Sequence, residues 1–158
     1  MRHMSRRSLL LTLSGGMAAA AGVVLGARTQ AAKGRTPILV FKDPSCGCCS
    51  KWIDHINANG FAAQVTDGDM RPVKVRYQVP RALESCHTAA VGGYVIEGHV
   101  PASDIRKLLA AKPNNILGLT IPGMPQSAPG MDVLPFQPYD VLTFDAKGQT
   151  TLFARHTK

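Results

Sequence analysis

The stretch Pro37-Ile-Leu-Val-Phe-Lys-Asp-Pro-Ser-Cys-Gly-Cys-Cys49 decides the fold. Its first five residues, Pro37 to Phe41, form a short continuous apolar run suited to a buried strand, and Asp43-Pro44-Ser45 breaks that run. From Cys49 onward the apolar residues Trp52, Ile53, Ile56 and, less regularly, Ala58 recur at helical spacing, and Asn59-Gly60 supplies a stop. Phe61 to Thr66 again has strand character. The order strand, cysteine motif, helix, strand predicts an α/β domain with a thioredoxin-like sheet and flanking helices.

Downstream of this unit, Asp67-Gly68-Asp69 starts a loop, and Met70 to Tyr77 and Pro80 to Glu84 predict two short helices, the second opened by its proline. Ala89 to Glu97 reads as one strand, Gly98-His99 as a turn, and Pro101 to Ala111 as a helix begun by proline. Val141 to Phe144 and Thr151 to Ala154, joined by Asp145-Ala-Lys-Gly148, predict a C-terminal hairpin. Between helix and hairpin lies a long Pro/Gly/Met loop, Gly118 to Tyr139, and a structureless segment of that length in a small domain is usually functional.

Upstream, Arg2, Arg6 and Arg7 precede an apolar Ala/Gly/Leu-rich run from Leu9 to Ala27 that holds no acidic residue. Residues 1–32 are therefore expected to be an export signal, and residues 33–158 the mature domain. The run has about the length of a membrane span, but its Gly/Ala content and the small-residue stretch Thr29-Gln30-Ala31-Ala32 favour a cleaved leader. No stable span is expected once it is removed. Ser5-Arg6-Arg7-Ser8-Leu9-Leu10 resembles the twin-arginine signal, with an ordinary secretory leader as the alternative.

Removing Arg2, Arg6, Arg7 and Arg28 leaves 14 basic residues against 10 acidic, a net charge of +4 instead of the whole-chain +8. Charges this scattered, without an aromatic and basic cluster, give no case for nucleic acid as a partner. A mature chain of this length buries about two thirds of its unfolded surface in one core. All four cysteines fall in it, three of them within four residues, which is a poor framework for structural disulfides.

Cys46, Cys48 and Cys49 sit between a strand and the first turn of a helix, where free backbone N–H groups and the helix dipole stabilise thiolates. Cys46 and Cys49, three apart, can converge on one metal or form one disulfide. Cys48 adds a thiol that a simple redox pair does not need. Soft thiolates select Cu(I), Zn(II) or iron–sulfur iron. Cys86-His87, just ahead of a predicted strand, occupies the position that faces the motif helix in a thioredoxin-like layout and can complete the site. Met124 and Met131 each follow a glycine in the Pro-bounded loop, outside any periodicity that would bury them, and thioethers favour Cu(I) over Zn(II). Packing of the loop is the plainer use of these methionines. His55, His99 and His156 carry no ligand spacing and read as surface residues, and Lys42 and Asp43 as solvated charges without a role.

The chain resembles the CopG-like copper-resistance proteins, exported proteins long grouped under a domain of unknown function. The resemblance rests on Asp43-Pro-Ser-Cys-Gly-Cys-Cys49, Pro80-Arg-Ala-Leu-Glu-Ser-Cys-His-Thr88, Gly92-Gly-Tyr-Val-Ile-Glu-Gly-His-Val-Pro101, and Gly123-Met-Pro125 with Pro129-Gly-Met131. It implies a thioredoxin-like fold and a periplasmic protein that binds copper, as Cu(I) or Cu(II), in a multinuclear cluster beside other copper-handling proteins. By the same resemblance Cys46, Cys49 and Cys86 lead the ligand candidates, followed by Cys48, His87, Met124 and Met131.

Two other functions stay open on the residues alone. One is a thiol–disulfide oxidoreductase in which Cys46 attacks and Cys49 resolves. Against it, Cys86-His87-Thr88 stands where such enzymes carry a cis-proline, and Cys48 invites mispairing. The other is a zinc site made of Cys46, Cys49, Cys86 and His87.

Overall fold

The computed structural model describes residues 34–158, so the expected export signal lies outside the described residues. It is a mixed α/β structure with one seven-stranded sheet and three helices. In chain order the elements are β1 (Thr36–Lys42), α1 (Gly47–Ala58), β2 (Phe61–Asp67), α2 (Met70–Arg76), β3 (His87–Val91), β4 (Tyr94–Glu97), α3 (Ala102–Ala111), β5 (Gly118–Thr120), β6 (Tyr139–Phe144) and β7 (Thr150–His156). The strand order across the sheet is β2-β1-β3-β4-β5-β6-β7.

β1 pairs parallel with β2, as two strands joined by a crossover helix must, and antiparallel with β3 on its other side. Alternation is clearer than the apolar run implied: Ile38, Val40 and Lys42 are buried, while Leu39 on the opposite face is exposed. In α1 the buried residues are Cys49, Trp52, Ile53 and Ile56, one stripe of a 3.6-residue helix. The helix ends where the Asn59 N–H donates to the Ile56 carbonyl (3.1 Å) and Gly60 turns left-handed. In α2 the Asp69 carboxylate accepts from the Arg71 N–H at 2.8 Å and caps the helix. The stripe Ala102, Ile105 and Leu108 seats α3 on the same core as Trp52, Ile56 and Phe61. Each large side chain buried there contributes roughly 1.5–3 kcal/mol relative to exposure.

Three expectations need correction. Ala89 to Glu97 is not one strand but the hairpin β3–β4, folded at Gly92-Gly93, both of which take positive φ. A two-residue Gly-Gly link is what a tight hairpin of this twist uses. Pro80 to Glu84 forms only a single 3₁₀ turn, Arg81–Leu83. The stretch from Gly118 is not structureless throughout, because Gly118–Thr120 forms β5, paired with β4 and β6. A Cβ on Gly118 would lie 1.7 Å from the Val95 carbonyl oxygen, so no other residue permits that strand contact. Residues 121–138 contain turns but no helix or strand. No helix among the described residues is long and apolar enough to cross a membrane.

Candidate metal centre

Cys46 is the N-cap residue of α1 in extended conformation, and its side chain does not cap the helix, so the sulfur is left for other chemistry. The turn ahead of it is shaped by Asp43, whose carboxylate accepts from the Ser45 N–H (2.8 Å) and hydroxyl while its carbonyl accepts from the Cys46 N–H at 3.0 Å. Those Ser45 bonds hold the Asp43 carboxyl below its ordinary range. Asp43 thus shapes the motif, a contribution its sequence position did not reveal. Lys42 is buried and reaches Asp67 at 3.1 Å.

One turn into the helix, Cys49 is fully buried, with Cys46 and Cys48 half-buried beside it. Cys46 and Cys49 are joined as a disulfide, and the Cys48 sulfur lies 3.5 Å from that of Cys46. Cys48 and Cys86 are free thiols.

The opposite side is supplied by the β3–β4 hairpin. Thr88 pairs with Glu97 across it, so continuing the register outward sets Cys86 opposite His99. The Cys86 sulfur is 3.2 Å from His99 Nε2 and 3.3 Å from His87 Nδ1. His99 therefore belongs to the site, contrary to its reading as a surface residue; it is 2% exposed. His55 and His156 are not free surface groups either. His55 Nε2 accepts from the Ala102 N–H (3.2 Å), and His156 Nε2 pairs with the buried Asp104 (2.6 Å).

The four sulfurs of Cys46, Cys48, Cys49 and Cys86 all lie within 4.8 Å of one another, and so do the donor atoms of Cys49, Cys86, His87 and His99. The two groups share Cys49 and Cys86. Their protonation pattern suits a metal. His99 Nδ1 donates to the Pro129 carbonyl at 2.7 Å, which leaves Nε2 as a lone pair facing Cys86. The single Cys86 proton can serve that lone pair, so His87 Nδ1 must carry its own proton toward the sulfur, and His87 Nε2 is left bare. That atom is buried and has no hydrogen-bond partner. A buried acceptor without a partner is costly in a folded protein, and a metal ion is a chemically apt occupant.

Electrostatics point the same way. Burial, with His99 and Lys74 adding, holds His87 well below its ordinary value, and burial also lowers His99, so both imidazoles are in the neutral form that binds metal. Burial pushes the Cys86 thiol up to about 11, with the neighbouring Cys48 adding to the rise, although Ser85 opposes it. Without a cation at the site this thiol keeps its proton. The Trp52 ring packs on His87 with centroids 4.3 Å apart, and its Nε1 donates to the Val100 carbonyl at 2.9 Å, which fixes the floor of the site.

Of the two loop methionines, Met131 is carried to the edge of the centre and Met124 is not linked to it by any hydrogen bond. Gly130, next to Met131, rests against α1 so closely that a Cβ would meet the Trp52 nitrogen at 2.7 Å and the Cys48 carbonyl oxygen at 3.2 Å. Met124 stands at a turn with φ of 46°, its carbonyl accepting from Gln126 Nε2 at 3.3 Å.

A mixed α/β protein with a buried Cys/His cluster capable of holding a metal ion is the class that fold and site define. The family model described as "Protein of unknown function, DUF411" matches residues 83–131, which include Cys86, His87 and His99. Two solved structures of a copper resistance protein, copG form 1 and form 2, are similar to the chain at 39% and 40% identity, with TM-scores of 0.72 and 0.71. Each covers 78% of this chain, and the chain covers 99% of each. No curated protein sequence matches the chain. The chain belongs to the CopG-like copper-resistance family, DUF411.

Proposed function

We propose that this protein is exported to the periplasm, by a twin-arginine signal, and there binds copper as part of a copper-resistance system. The metal is held as Cu(I) through Cys46, Cys48, Cys49 and Cys86, with His87 beside them and His99 added to the set, and it is exchanged with other copper-handling proteins. The observation that carries this reading is the convergence of four sulfurs and two imidazoles into two donor groups that share Cys49 and Cys86. Cys49 and Cys86, which belong to both groups, would be able to serve more than one copper ion, and this supports a multinuclear cluster. The similarity to a copper resistance protein supports copper as that metal.

A thioredoxin-like layout is supported by the β1-α1-β2 parallel unit followed by the antiparallel β3–β4 pair and α3, with the cysteines at the start of α1. The Cys46–Cys49 disulfide occupies two donors, so copper loading through them first requires two electrons and two protons from a thiol reductant. Anaerobically reduced protein is expected to withdraw Cu(I) from a moderate chelator, and failure to do so refutes the proposal. Met131, brought to the edge of the centre beside Gly130, is proposed as a further thioether donor, so Met131→Leu is expected to weaken Cu(I) binding and to leave Zn(II) binding unchanged, which separates copper from zinc as the cargo, whereas Met124→Leu is expected to change neither.

The same disulfide favours a second reading, a thiol–disulfide oxidoreductase using Cys46 and Cys49. Insulin reduction by metal-free protein that disappears in Cys46→Ser would establish it.

A further inference from the structure

Behind the hairpin lies a buried polar group that the metal centre does not use. Lys74, Thr88 and Glu97 are 5%, 0% and 0% exposed. The two Glu97 oxygens divide their work. One accepts from the Lys74 ammonium and from the backbone N–H of Ser85 at 2.6 Å; the other accepts from the Thr88 hydroxyl at 2.7 Å. Lys74 also donates to Thr88 at 3.1 Å. A buried ion pair of this kind is seldom retained for stability alone, since apolar residues of similar volume often serve as well or better. Its placement shows what else it does.

Ser85 immediately precedes Cys86, and Glu97 stands two residues before His99. The Glu97–Ser85 bond therefore ties the chain on one side of the Cys86–His99 pair to the chain on the other. The fit is close, because a Cβ on Gly98 would meet the Ser85 hydroxyl at 2.7 Å. Cys86 lies outside β3, and the last hairpin backbone bond before it runs from the Gly98 N–H to the His87 carbonyl at 3.0 Å, so the Glu97–Ser85 bond extends the tie past Cys86. Lys74, from α2, anchors the carboxylate that makes this tie.

We propose that Lys74 and Glu97 are positioning residues. They hold the Ser85–Cys86 segment across the hairpin mouth, and so set the spacing between the Cys86 sulfur and His99 at which the centre receives copper. The inference rests on the copper reading for its ligand but has its own metal-free readout.

The test compares two double variants. Lys74→Met with Glu97→Gln removes both charges and keeps an oxygen that can accept from Ser85; Lys74→Met with Glu97→Leu fills the same volume without any acceptor. Each is reduced anaerobically and titrated with Cu(I) against a chelator. In parallel, metal-free protein is treated with iodoacetamide, and alkylation of the Cys86 peptide is timed by mass spectrometry. The glutamine variant, which keeps an acceptor for the Ser85 N–H but loses the Lys74 anchor, is expected to show a smaller loss of Cu(I) affinity and a smaller rise in Cys86 alkylation than the leucine variant. The leucine variant is expected to lose roughly tenfold or more in Cu(I) affinity, as outer-shell partners of metal ligands do, and to show faster Cys86 alkylation. Wild-type behaviour of the leucine variant in the alkylation assay overturns the proposal, as does equal loss in both variants. If wild-type protein takes up no Cu(I), the copper reading fails while the alkylation contrast still decides the clamp. Should the leucine variant fail to fold, Thr88→Val removes one Glu97 partner in a milder way. It is expected to speed Cys86 alkylation about threefold, and no change overturns the proposal.

Discussion

The two walls of the candidate metal centre are built in different ways. The helix wall draws Cys46, Cys48 and Cys49 from four consecutive residues, and its sulfurs are held by the Cys46–Cys49 disulfide and by the contact of Cys48 with Cys46. The hairpin wall draws Cys86, His87 and His99 from two strands, and its imidazoles are set by the Pro129 carbonyl, the Trp52 ring and the strand register. The first wall is reconfigured by two electrons, closing or opening a disulfide. The second holds no disulfide, and its side chains are held by hydrogen bonds and packing that involve neither Cys46 nor the S–S bond. On the copper reading proposed above, such a site would keep part of its donor set in place while the other part is opened or closed by a disulfide.

Cys49 belongs to both donor groups, so Cys49→Ser damages both walls at once. We expect Cu(I) affinity, measured by chelator competition, to fall by more than about 100-fold, beyond the range typical of outer-shell changes. A loss no larger than that of Cys48→Ser would mean that the walls act separately. His99→Gln touches the hairpin wall alone. It is expected to cost roughly tenfold to 100-fold in affinity while leaving closure of the Cys46–Cys49 disulfide, followed by thiol alkylation, unchanged.

Gly130→Ala probes the loop that covers the helix wall. Its φ of 85° and the 2.7 Å approach of a Cβ to the Trp52 nitrogen leave no room for a side chain. A destabilisation of about 1–3 kcal/mol is expected in thermal or denaturant unfolding. A stability equal to wild type would show that the loop is not seated on α1.

The smallest effect expected is a pH dependence confined to the hairpin wall. Burial holds His87 and His99 below the ordinary histidine value of about 6.5. Below about pH 6.5 the unfolded chain therefore binds protons that the folded metal-free chain does not, so their contribution is complete above that pH and is lost as the pH falls. Glu97 acts in the opposite sense, since burial raises its carboxyl from 4.5 and its contribution declines as the pH rises. A His87→Gln variant isolates the imidazole part. Its unfolding midpoint should vary less steeply than wild type between about pH 5 and 6.5, and an unchanged slope would contradict the burial argument.

This contrast between the walls also governs what could be read from the sequence. The helix wall was legible because its information is local: an apolar run, a breaker, three thiols and a helical stripe from Trp52 to Ile56 fall in one stretch of 20 residues, 37–56. The helices α2 and α3 and the β6–β7 hairpin were legible for the same reason. The hairpin wall was read only in half. Cys86-His87 stood out as a pair, but His99 acquires its place from a register centred on Gly92-Gly93, and that turn was hidden inside a run that looks like one strand. Cys86 and His99 are nearly equidistant from the Gly-Gly turn, and this was the available signal. β5 was missed because three residues, Gly-Leu-Thr, become a strand only through pairing with β4 and β6. The Lys74–Glu97 pair carried no signal in the sequence because its burial depends on long-range packing, and the exposed Asp43 gave none because its role lies in hydrogen bonds to the following turn.

Trp52 is the only tryptophan in the chain, and its ring lies 4.3 Å from that of His87. The protein thus carries an intrinsic optical probe fixed to one wall and screened from solvent. Copper arriving at His87 should quench this emission, whereas loading confined to the Cys46 and Cys48 side should disturb it less. The order in which the two walls fill can therefore be followed in real time, on the unlabelled native chain, from the light of a single residue.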